Sequence, residues 1–133
     1  MAGITSFGGY IPRYRLSRMV IVQNMAWYFP VIMAVAGGEK AVANWDEDSA
    51  KLAAAAAYDC MAGHDRKELD ALYFASTTMP FADRLNAGIV AAALNMRENG
   101  VSNADFASCM KAGTTAMISA LDSVQAGSRK TCW

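Results

Sequence analysis

This chain of 133 residues has only one histidine and three cysteines. Cys60, Cys109 and Cys132 are widely spaced, without a Cys-x-x-Cys pair or a Cys/His cluster, so neither a disulfide framework nor a zinc site is expected. The lone His64 lies in the polar stretch Gly63-His64-Asp65-Arg66-Lys67-Glu68 and reads as a solvated loop residue. A Cys–His hydrolase would therefore need its base from elsewhere. Charge of one sign is also lacking: 12 Lys+Arg balance 12 Asp+Glu, giving a net charge of +0. That argues against binding to nucleic acid or an anionic membrane by bulk charge. Large aliphatics are few, 21 Leu, Ile and Val against 26 Ala. Disorder also requires high net charge, so the composition points to helices and sheet packed closely through small side chains. The N-terminus has no basic region followed by an apolar run, so no signal peptide is read there and a reducing cytoplasm is the expected compartment. Met19 to Ala36 is apolar, but Gln23, Asn24 and Pro30 interrupt it. It reads as a buried helix ending near Phe29-Pro30 and a second apolar run, not as a membrane span.

The remaining pattern alternates strands and helices. Gly3 to Ile11 reads as a strand, with Gly8-Gly9 allowing another backbone to come close and Pro12 ending it. Gly37-Gly38 is a turn. Asp46-Glu47-Asp48-Ser49 is a helix start with Asp48 or Ser49 as N-cap, and the tract Ala53 to Ala57 carries the helix to about Met61, with Gly63 beyond its end. Leu69 to Ser76 reads as a buried strand and Thr77 to Phe81 as a loop. Ala82 to Met96 reads as a helix, Ala104 to Ser108 as a short strand, and Met110 to Val124 as an amphipathic helix stopped by Gly127. This order predicts an α/β fold, a mixed sheet covered by helices, in one domain over 1–133 without an internal linker. A helix ending at Gly127 should lead into another strand. The sequence stops at Cys132-Trp133, so truncation before a core strand is expected.

Cys109 is the candidate nucleophile. It sits in Asp105-Phe106-Ala107-Ser108-Cys109-Met110-Lys111, where a short strand hands over to a helix. A helix N-terminus and the charge of Lys111 both favour thiolate, the reactive form. A buried structural cysteine is the plainer alternative. There is no P-loop and no Gly-x-Gly-x-x-Gly. Asp46, Glu47 and Asp48 read as a helix cap, and Trp27, Tyr28 and Phe29 as packing residues.

Four segments in order carry a family resemblance. They are Gly3-Ile4-Thr5-Ser6-Phe7-Gly8-Gly9-Tyr10-Ile11-Pro12-Arg13-Tyr14-Arg15, then Gly38-Glu39-Lys40-Ala41-Val42 with Asp46-Glu47-Asp48-Ser49, then Tyr73-Phe74-Ala75-Ser76-Thr77-Thr78-Met79-Pro80-Phe81, and Lys111-Ala112-Gly113-Thr114. Together they resemble the N-terminal half of the HMG-CoA synthase and ketoacyl synthase III branch of the thiolase superfamily. The resemblance implies the N-terminal half of a layered α-β-α-β-α body, usually a homodimer. It implies a cysteine acylated by a CoA thioester as substrate, with no bound cofactor, and a His and an Asn or second His from the C-terminal half. A partner chain supplying that half, a thiolase and a small acyl-CoA-binding protein are the implied partners.

Two positions depart from the family pattern. Thr114 is five residues after Cys109, where the family spacing is four. An ungapped alignment puts Met110, which cannot be acylated, at the nucleophile position, and a one-residue slip restores Cys109. The synthase's catalytic Glu falls near Thr77, which cannot do acid/base work at neutral pH. Three readings follow: an incomplete acyl-CoA condensing enzyme or acyltransferase using Cys109, a non-catalytic subunit of an acyl-CoA complex, and an inactive truncated fragment.

Overall fold

The computed structural model describes residues 2–96 and 100–133. They form two compact units, Met1–Tyr10 with Asp48–Trp133, and Ile11–Glu47.

The larger unit is built on two parallel strands, β3 (Ala71–Ala75) and β4 (Ser102–Phe106), paired from Ala71↔Ser102 to Ala75↔Phe106. Leu72 and Phe74 point from β3 into a core with Ala57, Met61, Ala87, Val90 and Leu94. These come from helices α2 (Ser49–Cys60) and α3 (Asn86–Ala93) and the residues just beyond their ends. Tyr73 points the other way, as strand alternation requires, and its hydroxyl meets Ser123 Oγ at 3.1 Å on α4 (Ala112–Gln125). Helices thus cover both faces of the sheet, the α/β layering expected from the sequence. After α4, residues 131–133 return along the free edge of β3. Ala71 forms a parallel bridge with Cys132, and Trp133 N donates to Ala71 O at 3.0 Å. This single bridge lies on the side of β3 away from β4.

Helix α2 starts as its cap residue dictates: Asp48 Oδ1 accepts from Lys51 N at 2.8 Å. Ala50 and Ala57 are its buried residues, so its packing face is made of methyl groups. The expected strand at Gly3 to Ile11 does not form. These residues lie outside any ladder, with Ile4, Phe7 and Ile11 exposed. Their polar groups bond to the end of α2 instead: Ser6 Oγ donates to Cys60 O at 2.7 Å and Gly9 N to Asp59 Oδ2 at 3.0 Å. The close backbone approach does occur at Gly8, where a Cβ would meet Ala56 O at 2.6 Å and also Cys60 N.

The smaller unit is an antiparallel pair, β1 (Tyr14–Ser17) with β2 (Glu39–Val42), joined through α1 (Arg18–Met25) and a 3₁₀ turn at Pro30–Val35. Gly38 turns the chain into β2 at φ +79°. The buried helix expected to end near Phe29-Pro30 is shorter and mostly exposed, and the second apolar run forms the 3₁₀ turn. Pro30 takes the first position of the 3₁₀ turn and forces an extended Phe29, which ends α1 early. Only Val22 of α1 is buried. Trp27, Tyr28 and Phe29, expected to pack, are 82, 72 and 56% exposed. Among the described residues, no helix is long and apolar enough to cross a membrane.

Candidate functional site

Parallel strands put the loops that follow them at one edge of the sheet, and in α/β folds that edge is where ligands bind. Two loops leave it here. Ser76 N donates to Phe106 O at 3.1 Å, so the pairing continues to the point where both strands end. The first loop, from Ser76 to Phe81, is turned by Thr78 N donating to Ser76 Oγ at 3.0 Å, and Ser49 Oγ ties it to the start of α2 through Thr78 O at 2.7 Å. Thr77 lies exposed within it. The second loop runs from Ala107 to Lys111 and carries Cys109.

Cys109 lies between β4 and α4, but the helix begins two residues later than the expected Met110. Helix α4 starts at Ala112, with Lys111 in the cap position and no side-chain cap. Ala112 N donates to Cys109 O at 3.2 Å, which places Cys109 one turn ahead of the helix. Ser108, just before Cys109, adopts φ +70°. A left-handed non-glycine residue is strained, and such strain gathers at functional turns. Cys109 is exposed, so it is not a buried structural cysteine, and Met110 is 96% exposed. Both residues lie in the turn and not in the helix.

The expected apolar stripe of α4 faces outward: Met117, Ile118 and Leu121 are 63, 55 and 42% exposed. Ala112 and Ala116 are the buried residues, because the small face allows close approach to the sheet.

His64 is exposed in the turn after α2, with its N–H on Met61 O at 3.0 Å. It precedes β3, and Cys109 follows β4. The length of a five-residue strand, about 16 Å, separates the two ends of the sheet. The chain's lone imidazole is therefore not brought to its candidate thiol. Asp48 is occupied by the α2 cap, and Glu47 Oε2 accepts from Asn44 N at 2.8 Å. Among the described residues no group of three His, Cys, Asp or Glu could hold a metal ion. Burial pushes the Cys132 thiol above its ordinary range, opposed by Arg129 and reinforced by Asp70.

A polar cluster that sequence reading missed joins the two loops. Helix α3 was expected from Ala82 but begins at Asn86, because its cap is supplied from β4. Asp105 accepts Asn86 N and Ala87 N, each at 2.7 Å. Asn86, 2% exposed, exchanges two bonds with the Phe81 backbone and gives a third to Asp105. The available signal was Asn86 itself, a residue that favours helix starts.

No protein-family profile matches the chain. It is 35% identical to the hydroxymethylglutaryl-CoA synthase of Methanocella arvoryzae, over 97% of this chain and 38% of that protein. It is 34% identical to the Methanocaldococcus jannaschii enzyme of the same name, over 96% of this chain and 37% of that protein. The chain thus spans little more than a third of the curated relatives it matches. Its fold superposes on β-ketoacyl-[acyl carrier protein] synthase III from Thermus thermophilus with a TM-score of 0.81, covering 98% of this chain and 41% of that one at 21% identity. The match to Xanthomonas campestris OleA has a TM-score of 0.82 at 18% identity, covering 95% of this chain and 40% of that one.

Proposed function

We propose that this chain, homologous to the N-terminal portion of the hydroxymethylglutaryl-CoA synthases and thiolase-like in fold, takes part in acyl-CoA condensation or acyl transfer with Cys109 as the acyl acceptor. The observation that carries the reading is the position of Cys109: exposed, in a strained turn, at the edge of the sheet where parallel strands end. The Cys109 thiolate attacks the thioester carbonyl. The bond from its sulfur to the acyl carbon forms, the bond from that carbon to the CoA sulfur breaks, and CoA leaves with a proton from solvent. This first half-reaction needs no metal or redox cofactor.

Condensation needs more. The acyl-enzyme must meet a second substrate whose carbanion is generated and stabilised. His64 lies at the wrong end of the sheet, and Thr77 has no useful acid/base chemistry. The reading therefore assigns the base and the oxyanion donors to residues outside this sequence, in a C-terminal half or in a partner chain. The outward apolar face of α4, Met117, Ile118 and Leu121, supports a packing partner there. A thiolase and a small acyl-CoA-binding protein are further proposed partners, and the cytoplasm is the proposed compartment.

A second reading, a non-catalytic acyl-CoA-binding subunit, is favoured by one observation: no ionisable side chain stands at Thr77, in the loop that leaves the sheet at the same end as the Cys109 loop. Incubation with acetyl-CoA followed by intact-mass measurement separates the two. A thioester adduct present in the wild type and absent in Cys109→Ala supports acyl transfer. A folded wild type that takes no acyl group while retaining acetyl-CoA by equilibrium dialysis supports the binding subunit.

A further inference from the structure

We infer that Asn86 and Asp105 form a positioning clamp that couples the Cys109 loop to the Thr77–Phe81 loop. The inference rests on the proposed role of Cys109 for its functional readout, while the coupling itself stands on geometry. Asp105 is the penultimate residue of β4, four residues before Cys109. Its carboxylate receives three N–H groups: Asn86 N at 2.7 Å, Ala87 N at 2.7 Å and Asn86 Nδ2 at 3.0 Å. Helices are ordinarily capped by their own preceding residue. Here that residue is Leu85, which has no capping side chain, so the N-terminus of α3 depends on β4.

Asn86 carries the connection onward. Its Oδ1 accepts from Phe81 N at 3.1 Å, and its Nδ2 donates to Phe81 O at 2.9 Å and approaches Met79 Sδ at 3.4 Å. Phe81 and Met79 end the loop that contains Thr77. One buried side chain therefore holds the end of the first loop, and the carboxylate that holds this side chain sits at the root of the second. Displacing either loop strains the same hydrogen bonds. Neutral donors on an ionised acceptor make strong bonds, so the link is stiff. An acyl acceptor needs such support, because a misplacement of about 1 Å can cost on the order of a hundredfold in rate.

Asn86→Ala separates coupling from capping. The backbone N–H groups of residues 86 and 87 still reach Asp105, so α3 stays capped, but the link to Phe81 is cut. In the 133-residue chain, hydrogen exchange is expected to rise in residues 77–81 and 107–111 together, with α3 unchanged. Acyl transfer from acetyl-CoA to Cys109 is expected to fall roughly tenfold, because orientation is lost, while alkylation of Cys109 by iodoacetamide, which needs no oriented partner, holds steady. Exchange that rises in 77–81 alone, with 107–111 unchanged, overturns the clamp and leaves Asn86 a loop residue only. If Asn86→Ala does not fold, Asn86→Ser and Asp105→Asn read the same two segments. Absence of wild-type acyl transfer refutes the Cys109 reading, and the exchange measurement still decides the clamp.

Discussion

Substituting Gly8 with alanine tests how the N-terminal segment is held. A Cβ at Gly8 would meet Ala56 O at 2.6 Å, Cys60 Cα at 2.7 Å and Cys60 N closer still. All three are backbone atoms of α2, so no side chain can rotate away. The segment must lift or the helix must bend, and overpacking of this kind costs about 1–3 kcal/mol. In a chain of this length that lowers the melting temperature by roughly 3–6 °C per kcal/mol. Gly9 is the internal control. Nothing lies within 4 Å of a Cβ there, so alanine should be neutral or stabilise by about 0.4–1 kcal/mol through the unfolded chain. Urea unfolding followed by circular dichroism measures both. If Gly8→Ala unfolds at the same midpoint as Gly9→Ala, Met1–Tyr10 is not seated on α2 and the account of its missing strand is wrong.

Ser108→Val should destabilise by about 1–2 kcal/mol more than Ser108→Gly, because a β-branched side chain at φ +70° is strained even on the surface; equal urea midpoints would mean that the turn is not left-handed. Leu94, fully buried between α3 and the sheet, should cost about 2–5 kcal/mol on truncation to alanine, and a loss under about 1 kcal/mol would contradict the core described. The thiol of Cys132 is pushed up in the folded state and titrates normally when unfolded. Folding thus favours the protonated thiol, and stability should fall as pH rises past about 8.5. Melting temperature against pH should show this fall in the wild type and lose it in Cys132→Ala; matching profiles would refute the shift.

The sequence made legible what local chemistry decides. The alanine tract and Asp48 place α2 to within a residue, and the run Leu69 to Ser76 reads as a buried strand, which the structure forms over Ala71–Ala75. The thiolase-like fold and the similarity to hydroxymethylglutaryl-CoA synthases were readable from four short segments in order. What was misread depended on distant residues. The start of α3 is set by Asp105, a carboxylate on another element that no local pattern reveals. Met117, Ile118 and Leu121 have the helical spacing of an amphipathic helix, but they lie outward, and Ala112 and Ala116 are the buried residues because their small size lets the helix approach the sheet. Met19 to Ala36 was read as buried from hydropathy alone, and its aromatic residues are exposed. Gly3 to Ile11 has strand alternation, but its hydrogen bonds go to the end of α2. Cys109 was legible as a residue of interest. The later start of α4, at Ala112, and the left-handed Ser108 are not announced by the sequence.

The central claim is that Cys109 accepts an acyl group from a CoA thioester. The most direct measurement is mass-spectrometric mapping of the 133-residue chain after incubation with acetyl-CoA. The account predicts an acetyl group on the tryptic peptide ending at Lys111, released by hydroxylamine and absent from the peptides bearing Cys60 and Cys132. Equal labelling of all three cysteines, or none on Cys109 in a folded sample, would contradict it.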